Sequence, residues 1–375
     1  MDKKKIKVTH VTRFAYPHIG GIESVINQIN DSLPNEEFEK EVLCCSNTEK
    51  TSIENGVKYN RARYLFEIFN NTISLSFLWK LSRVKTDVLH YHMPFIFAVV
   101  AHFIARPKYK KMYITYHSDL IAYEKIMKYF WWIYKKLYAI ADKIFVLSPN
   151  AIDRDPILRE NKEKIVVIPY GINTEISNAI AEKRHINGID IKEFAKNRKI
   201  LLCMGRFVNL KGFIYAIKAM ETIENAVLLV AGNGELKTYF EQYIKEHHLE
   251  DKVKLIGFVS KEKDKEFLFS NIDIFLMTSI KTESFSIVQL EAMKYGKPII
   301  NTNLGTGVNY VSVDKETGLT VEPENIEQLA NAINELLNND ELRLQYGRNA
   351  MERVEKKFNL KKIRLKYSKI YEGIN

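Results

Sequence analysis

The segment Leu201-Leu-Cys-Met-Gly205-Arg206-Phe-Val-Asn-Leu-Lys211-Gly212 begins as an apolar run, stops at glycine and continues as a basic loop. A short apolar run bounded by glycine is the pattern of a strand buried in a parallel sheet. Ligands in α/β folds bind at the C-terminal ends of such strands. Arg206 and Lys211 put two cations there, a guanidinium fork and a compact ammonium, and both suit the oxygens of a pyrophosphate. Two solvated cations in a strand-to-helix loop are the plainer reading of the same residues.

Downstream, Glu283-Ser-Phe-Ser-Ile-Val-Gln-Leu-Glu291 carries two acids eight positions apart. The apolar residues after Ser286 predict a helix beginning near Ile287. Glu283 then lies in the preceding loop and Glu291 about two turns further on. Carboxylates accept hydrogen bonds from hydroxyls, and sugars are mostly hydroxyls. The amides of Phe285, Ser286, Ile287 and Val288 fall at the helix start, where free N–H groups favour anionic or polar ligand atoms. A pyrophosphate site and a polyol site in one half-chain suggest a sugar-nucleotide.

Short β-branched or apolar runs alternate with longer amphipathic stretches through the whole chain. Runs at Lys7–Thr12, Glu41–Cys45, Val88–Tyr91, Met112–Tyr116 and Lys143–Leu147 make a first set. Those at Ile200–Gly205, Ala226–Ala231, Val253–Ile256, Ile274–Met277 and Pro298–Asn301 make a second. Strands separated by helices build parallel sheets, so two sets imply two doubly wound α/β domains. The run Ile165-Val-Val-Ile-Pro169-Tyr-Gly171-Ile-Asn173 ends in proline and glycine before a polar stretch. It places the hinge near Gly171–Asn173, with an N-terminal domain over 1–172 and a C-terminal one over 173–357. Residues 358–375 have apolar positions at Leu360, Ile363, Tyr367, Ile370 and Tyr371, which is helical spacing.

The Gly-Arg-x4-Lys-Gly loop, the Glu-x7-Glu segment and the following Glu291-Ala-Met-x2-Gly296-x-Pro298 resemble the retaining family-4 glycosyltransferases of GT-B fold. Two acids at that spacing are common by chance; in register with the basic loop and Gly296-Lys-Pro298 they are specific. The resemblance runs from Gly20-Gly21 to the C-terminal helix. It implies two Rossmann-like domains with a cleft between, and a C-terminal helix that crosses back to the first. It implies that Arg206 and Lys211 hold the donor diphosphate, Glu283 and His117 the donor sugar, and Glu291 the ribose. It also sets Gly21 at the cleft floor facing the donor phosphates and Gly232, in Gly232-Asn-Gly234, beside the nucleotide. No metal and no cofactor are implied. The family often has glycine where this chain has Ser286, so a side chain there either narrows the sugar pocket or offers its hydroxyl to the sugar.

The segments Asn301–Thr320, His92-Met-Pro94 and Tyr116-His-Ser-Asp119 look most like mannosyltransferases of bacterial surface-polysaccharide assembly. The expected donor is therefore GDP-mannose, with a UDP-sugar as the alternative, and the expected acceptor a saccharide or lipid-linked saccharide. A sugar-nucleotide epimerase on the same fold and a nucleic-acid-binding protein are the rival classes. The second leaves the Glu pair unexplained and shows no basic recognition helix, so no nucleic-acid partner is expected.

Other patterns read as structure. His90 and His92 alternate on one strand and would share a face. With no third ligand at a plausible spacing, they suggest packing rather than metal. Asp153-Arg-Asp155 matches a metal-holding pattern of another glycosyltransferase fold but sits in what looks like a helix start. Gly20-Gly21 lacks the third spaced glycine of a dinucleotide fingerprint.

The 375 residues carry a net charge of +10, of which +8 falls in residues 1–172. Such an excess fits an anionic membrane surface or simply a lysine-rich exterior. Tyr123–Tyr138 interleaves Lys125, Lys128, Lys135 and Lys136 with Trp131, Trp132 and tyrosines. That mixture suits a membrane interface or a packed helix with solvated lysines. Three cysteines, two of them adjacent, make no disulfide framework and point to a reducing compartment. No signal peptide is visible, and no apolar run approaches the ~20 residues of a membrane span. The expected location is cytoplasmic, peripheral on the inner face of the membrane if that helix binds lipid.

Overall fold

The computed structural model describes residues 5–18, 20–68, 71–117, 124–176, 185–281 and 283–374, with the side chains of 124–128 excepted. Two compact units result, one of Met1–Gly171 with Leu360–Asn375 and one of Ile172–Asn359. The chain thus changes unit between Gly171 and Ile172 and returns between Asn359 and Leu360, one or two residues from the positions expected.

The first unit holds an eight-stranded sheet. Its strands are β1 (Ile6–Val11), β2 (Phe38–Ser46), β3 (Lys50–Glu54), β4 (Val57–Arg63), β5 (Lys85–Met93), β6 (Lys108–Tyr116), β7 (Lys143–Val146) and β8 (Ile165–Val167), in the order β8-β7-β6-β5-β1-β2-β4-β3. All pairs are parallel except β3 with β4. That hairpin turns at Asn55-Gly56, both at positive φ (52° and 74°), the tight turn that matches strand twist. The Asn-Gly pair is its signal in the sequence. Helix α1 (Gly21–Ser32) follows β1, and α2 (Glu124–Ile140) lies between β6 and β7. The terminal helix α3 (Leu360–Glu372) belongs to this unit and buries Ile363, Tyr367 and Tyr371. The core is apolar and aromatic, with Phe77, Tyr91, Phe95, Tyr134 and Tyr138 fully buried.

The second unit holds a six-stranded parallel sheet of β9 (Lys199–Met204), β10 (Ala226–Ala231), β11 (Val253–Gly257), β12 (Ile274–Met277), β13 (Ile299–Thr302) and β14 (Gly318–Val321). Their order is β11-β10-β9-β12-β13-β14. β9, β10 and β12 are buried nearly end to end, as expected of strands covered on both faces. The order reverses at β9: β10 and β11 build outward on one side, β12 to β14 on the other. Loops leaving β9 and β12 therefore start side by side, at the switch point where open α/β sheets bind ligands.

Candidate active site

In the second unit the basic loop leaves β9 at Gly205 (φ +156°) and turns through Asn209–Lys211 into Gly212 (φ +61°). A Cβ on Gly212 would lie 2.1 Å from the Thr278 carbonyl oxygen, so only glycine fits. Ile280 N–H donates to the Leu210 carbonyl (2.9 Å), and Thr278 Oγ1 to that of Lys211 (3.0 Å). These bonds fasten the β9 loop to the segment after β12. Gly232 seals the other side, where a Cβ would lie 1.8 Å from the Gly205 oxygen. Arg206 is exposed on this loop, while Phe207 is buried beneath it.

The fastening brings the two predicted sites together. Lys211 Nζ lies 2.6 Å from Glu283 Oε2, across 72 residues of sequence. Helix α4 (Ile287–Lys294) begins as expected at Ile287, after Ser286 in extended conformation, and no side chain caps it. Its N-terminus is free to receive ligand atoms from backbone N–H groups at Ile287 and Val288. Phe285 is buried with its ring against Phe358. Ser286 is buried as well, and its hydroxyl faces Met277 Sδ at 3.5 Å. That turns the hydroxyl into the core and leaves the backbone of Ser286 at the helix start.

Glu291 lies one turn beyond and is paired with Lys265 (3.0 Å), which also bridges Glu262 (2.7 Å). Burial works against the Lys265 charge; Glu291 and Glu262 outweigh it and hold the ammonium above its ordinary value. Both residues line a cavity of about 300 Å³ with Ile172, Asn173, Phe269 and Tyr295. Lys265 was not foreseen. It sits in a helix of ordinary charged composition, and nothing local marks it.

In the first unit His117 follows β6, its N–H bonded to the Met93 carbonyl (3.0 Å). Its ring is buried and stacks on His92, with Nε2 3.0 Å from His92 Nδ1. Burial pushes its pKa down to about 3. Ser118 and Asp119 of the same motif lie outside the described residues. His90 and His92 share a face as expected and stack at 4.5 Å. The sequence offered them no third imidazole; strand pairing supplies one, because His10 on β1 stands opposite His90 on β5. Ring nitrogens of the three lie within 4.8 Å of one another, close enough for an ion. His90, however, already has Tyr371 Oη and Thr115 Oγ1 at its two nitrogens.

Gly21 opens α1, and its carbonyl accepts a hydrogen bond from Tyr170 Oη. The carboxylate of Glu23 crowds Gly20, where a Cβ would meet Oε2 at 2.4 Å, and pairs with His18 Nδ1 at 3.0 Å. This helix start already carries an acid, which disfavours a second anion there. Asp155 caps the helix Pro156–Glu160 through Ile157 N–H (2.8 Å) and accepts from Tyr116 Oη (2.8 Å). Its carboxylate serves the fold.

Residues 187–353 match the family model described as glycosyl transferases group 1, and residues 19–176 the one described as glycosyltransferase family 4. The O-antigen chain mannosyltransferase C of Escherichia coli is 30% identical over 365 residues, 94% of each chain. This chain belongs to the family-4 glycosyltransferases. The D-rhamnosyltransferase WbpZ of Pseudomonas aeruginosa is 27% identical over 91% of this chain and 88% of its own. Among solved structures, sucrose-phosphate synthase from Thermosynechococcus elongatus superposes with a TM-score of 0.79 at 19% identity, covering 99% of both chains. This glycosyltransferase therefore has the GT-B architecture, α/β with two Rossmann-like domains. Among its described residues no helix is long and apolar enough to cross a membrane.

Proposed function

We propose that this glycosyltransferase moves a hexose, mannose from GDP-mannose, onto a saccharide or lipid-linked saccharide in surface-polysaccharide synthesis. Transfer proceeds with retention of anomeric configuration and without a metal. The observation that carries the reading is the Lys211–Glu283 contact at the switch point of the second sheet. It joins a phosphate-binding cation to a hydroxyl-binding carboxylate, the two chemistries a sugar-nucleotide presents at its anomeric end. Arg206 and Lys211 neutralise the charge that grows on the departing diphosphate. Glu283 and His117 hold the sugar, Glu291 receives the ribose hydroxyls, and the amides at the start of α4 meet the polar atoms between. Similarity to an O-antigen mannosyltransferase over nearly the whole length supports the choice of sugar and of pathway class. The D-rhamnosyltransferase relative keeps another hexose within the test.

A panel of GDP- and UDP-sugars tested by thermal shift, followed by transfer to a mannose-terminated acceptor, examines the reading. GDP-mannose is expected to stabilise the protein most and to give an α-linked product by NMR. Conversion of a nucleotide-sugar to its epimer without acceptor would replace the transferase by an epimerase. Stabilisation by UDP-sugars alone would replace the donor.

A further inference from the structure

His10, His92 and His117 form one file of hydrogen-bonded imidazoles inside the first unit. Nδ1 of His10 lies 3.0 Å from Nε2 of His92, and Nδ1 of His92 lies 3.0 Å from Nε2 of His117. The atoms at the two ends, His10 Nε2 and His117 Nδ1, are buried and have no hydrogen-bond partner among the described residues. His90 stacks on His92 but stands outside the file, its nitrogens facing Tyr371 and Thr115.

Burial keeps all three rings neutral near pH 7: His10 and His117 fall to about 3, and His92 lies well below its ordinary value. A neutral imidazole carries one N–H. Three protons and two ring-to-ring bonds leave two consistent arrangements. In one, His10 Nδ1–H donates to His92 and His92 Nδ1–H donates to His117, so His117 keeps its proton on Nδ1. In the other, His117 Nε2–H donates to His92 and His92 Nε2–H donates to His10. The proton at the far end is then on His10 Nε2, and His117 Nδ1 is a bare acceptor. Each arrangement protonates the same-named nitrogen on all three rings.

We propose that His10 and His92 are positioning residues that set the tautomer of His117. Through them His117 Nδ1 offers a sugar hydroxyl either a donor or an acceptor, without any ring becoming charged. The proposal rests on the assignment of His117 to the donor sugar. The carboxamide of Asn30 is buried near His10, and neither its oxygen nor its nitrogen is in hydrogen-bonding geometry.

The test uses the full chain labelled with 15N-histidine, in which two-bond 1H–15N correlations report the tautomer of each ring. Its nine histidines are assigned by single substitution. His10, His92 and His117 are expected to read as neutral and alike from pH 5 to 8. Unlike tautomers among the three would overturn the proposal, and so would ring shifts on titration with Zn²⁺, which would make the cluster a metal site. That measurement needs no variant. His10→Gln removes the Nδ1 link, and His10→Asn keeps an amide in its place. The first should alter the His117 tautomer and lower kcat about tenfold with KM for the donor little changed; the second should restore both. A His117 tautomer unmoved by His10→Gln refutes the coupling. If the rings read alike but His117→Ala transfers sugar normally, the assignment of His117 to the sugar falls and the file is a structural feature only.

Discussion

Replacing Lys211 by methionine removes an ammonium 2.6 Å from Glu283 Oε2, in a pair whose side chains are each 21% exposed. Methionine keeps much of the apolar stem, so the change is chiefly one of charge. Two losses add. The diphosphate loses a charge-assisted hydrogen bond, about 1.5–3 kcal/mol. Glu283 loses its counter-ion and stands as a bare carboxylate beside the anion. Exposed pairs contribute about 0.2–1 kcal/mol and broken buried ones about 3–5. At this partial exposure a further penalty of about 1 kcal/mol is reasonable. The sum is about 3 kcal/mol, roughly a hundredfold in Kd. Arg206→Ala should fall in the same range. Glu283→Gln has the opposite sign toward the diphosphate: it removes a negative charge, so affinity holds or rises while sugar transfer drops. In the double variant part of the Lys211→Met loss should return. Calorimetric titration with a nucleoside diphosphate reads all four proteins. Unchanged affinity in Lys211→Met and Arg206→Ala would refute the phosphate assignment. Glu283→Gln weakening the diphosphate as much as Lys211→Met would mean that the pair is a strut between loops.

Gly212→Ala should destabilise the second unit by about 2 kcal/mol or more, since it combines left-handed backbone with a clash against Thr278. Gly188→Ala, also at positive φ but with open space around it, is the control, and equal melting temperatures for the two would count against the argument. Transfer should survive excess chelator; full loss restored by Mg²⁺ or Mn²⁺ would end the metal-free reading. In α2, Tyr134, Leu137 and Tyr138 are buried, whereas Tyr129 and Trp132 are 67% and 59% exposed, with Lys136 over the Trp132 ring. Binding to anionic but not neutral liposomes is therefore expected, weakened by salt and by Lys→Glu changes at 125, 128, 135 and 136, with 135 contributing least because it pairs with Glu160. Equal partitioning to both liposome types, or none, leaves an ordinary packed helix. Finally, His10, His102 and His117 are depressed to about 3, 4 and 3 by burial. Neutral rings favour the folded state, so this stability is whole above pH 6.5 and is lost as pH falls toward 4, by about 1.4 kcal/mol per ring per pH unit. All three tryptophans lie in the first unit, so urea unfolding followed by their fluorescence should show a midpoint at pH 5 well below that at pH 7.5. A midpoint independent of pH would refute the buried neutral state.

The sequence located the ten strands it proposed because strands covered on both faces must be apolar along their length. It missed the β3–β4 hairpin, whose residues are partly exposed, and β14 (Gly318–Val321), a buried run of only four residues that opens on glycine and includes a threonine. Arg206, Lys211, Glu283 and Glu291 were legible because their spacing within each segment is local. Lys265 and His10 were not, because each matters only through a neighbour far away in the chain.

By itself, then, the sequence determined two doubly wound sheets, the loop and helix starts that carry the cations and acids, and the family. Tertiary structure decided which of those groups meet. Lys211 reaches Glu283 because the second sheet reverses at β9, which sets β12 beside it although β10 and β11 intervene in the chain. His10 reaches His92 because β1 pairs with β5, and His117 closes the file because β6 pairs with β5 on the other side. Local propensity fixes where a strand runs, but strand order is set by how a whole sheet buries its two faces, and that is a property no single segment contains.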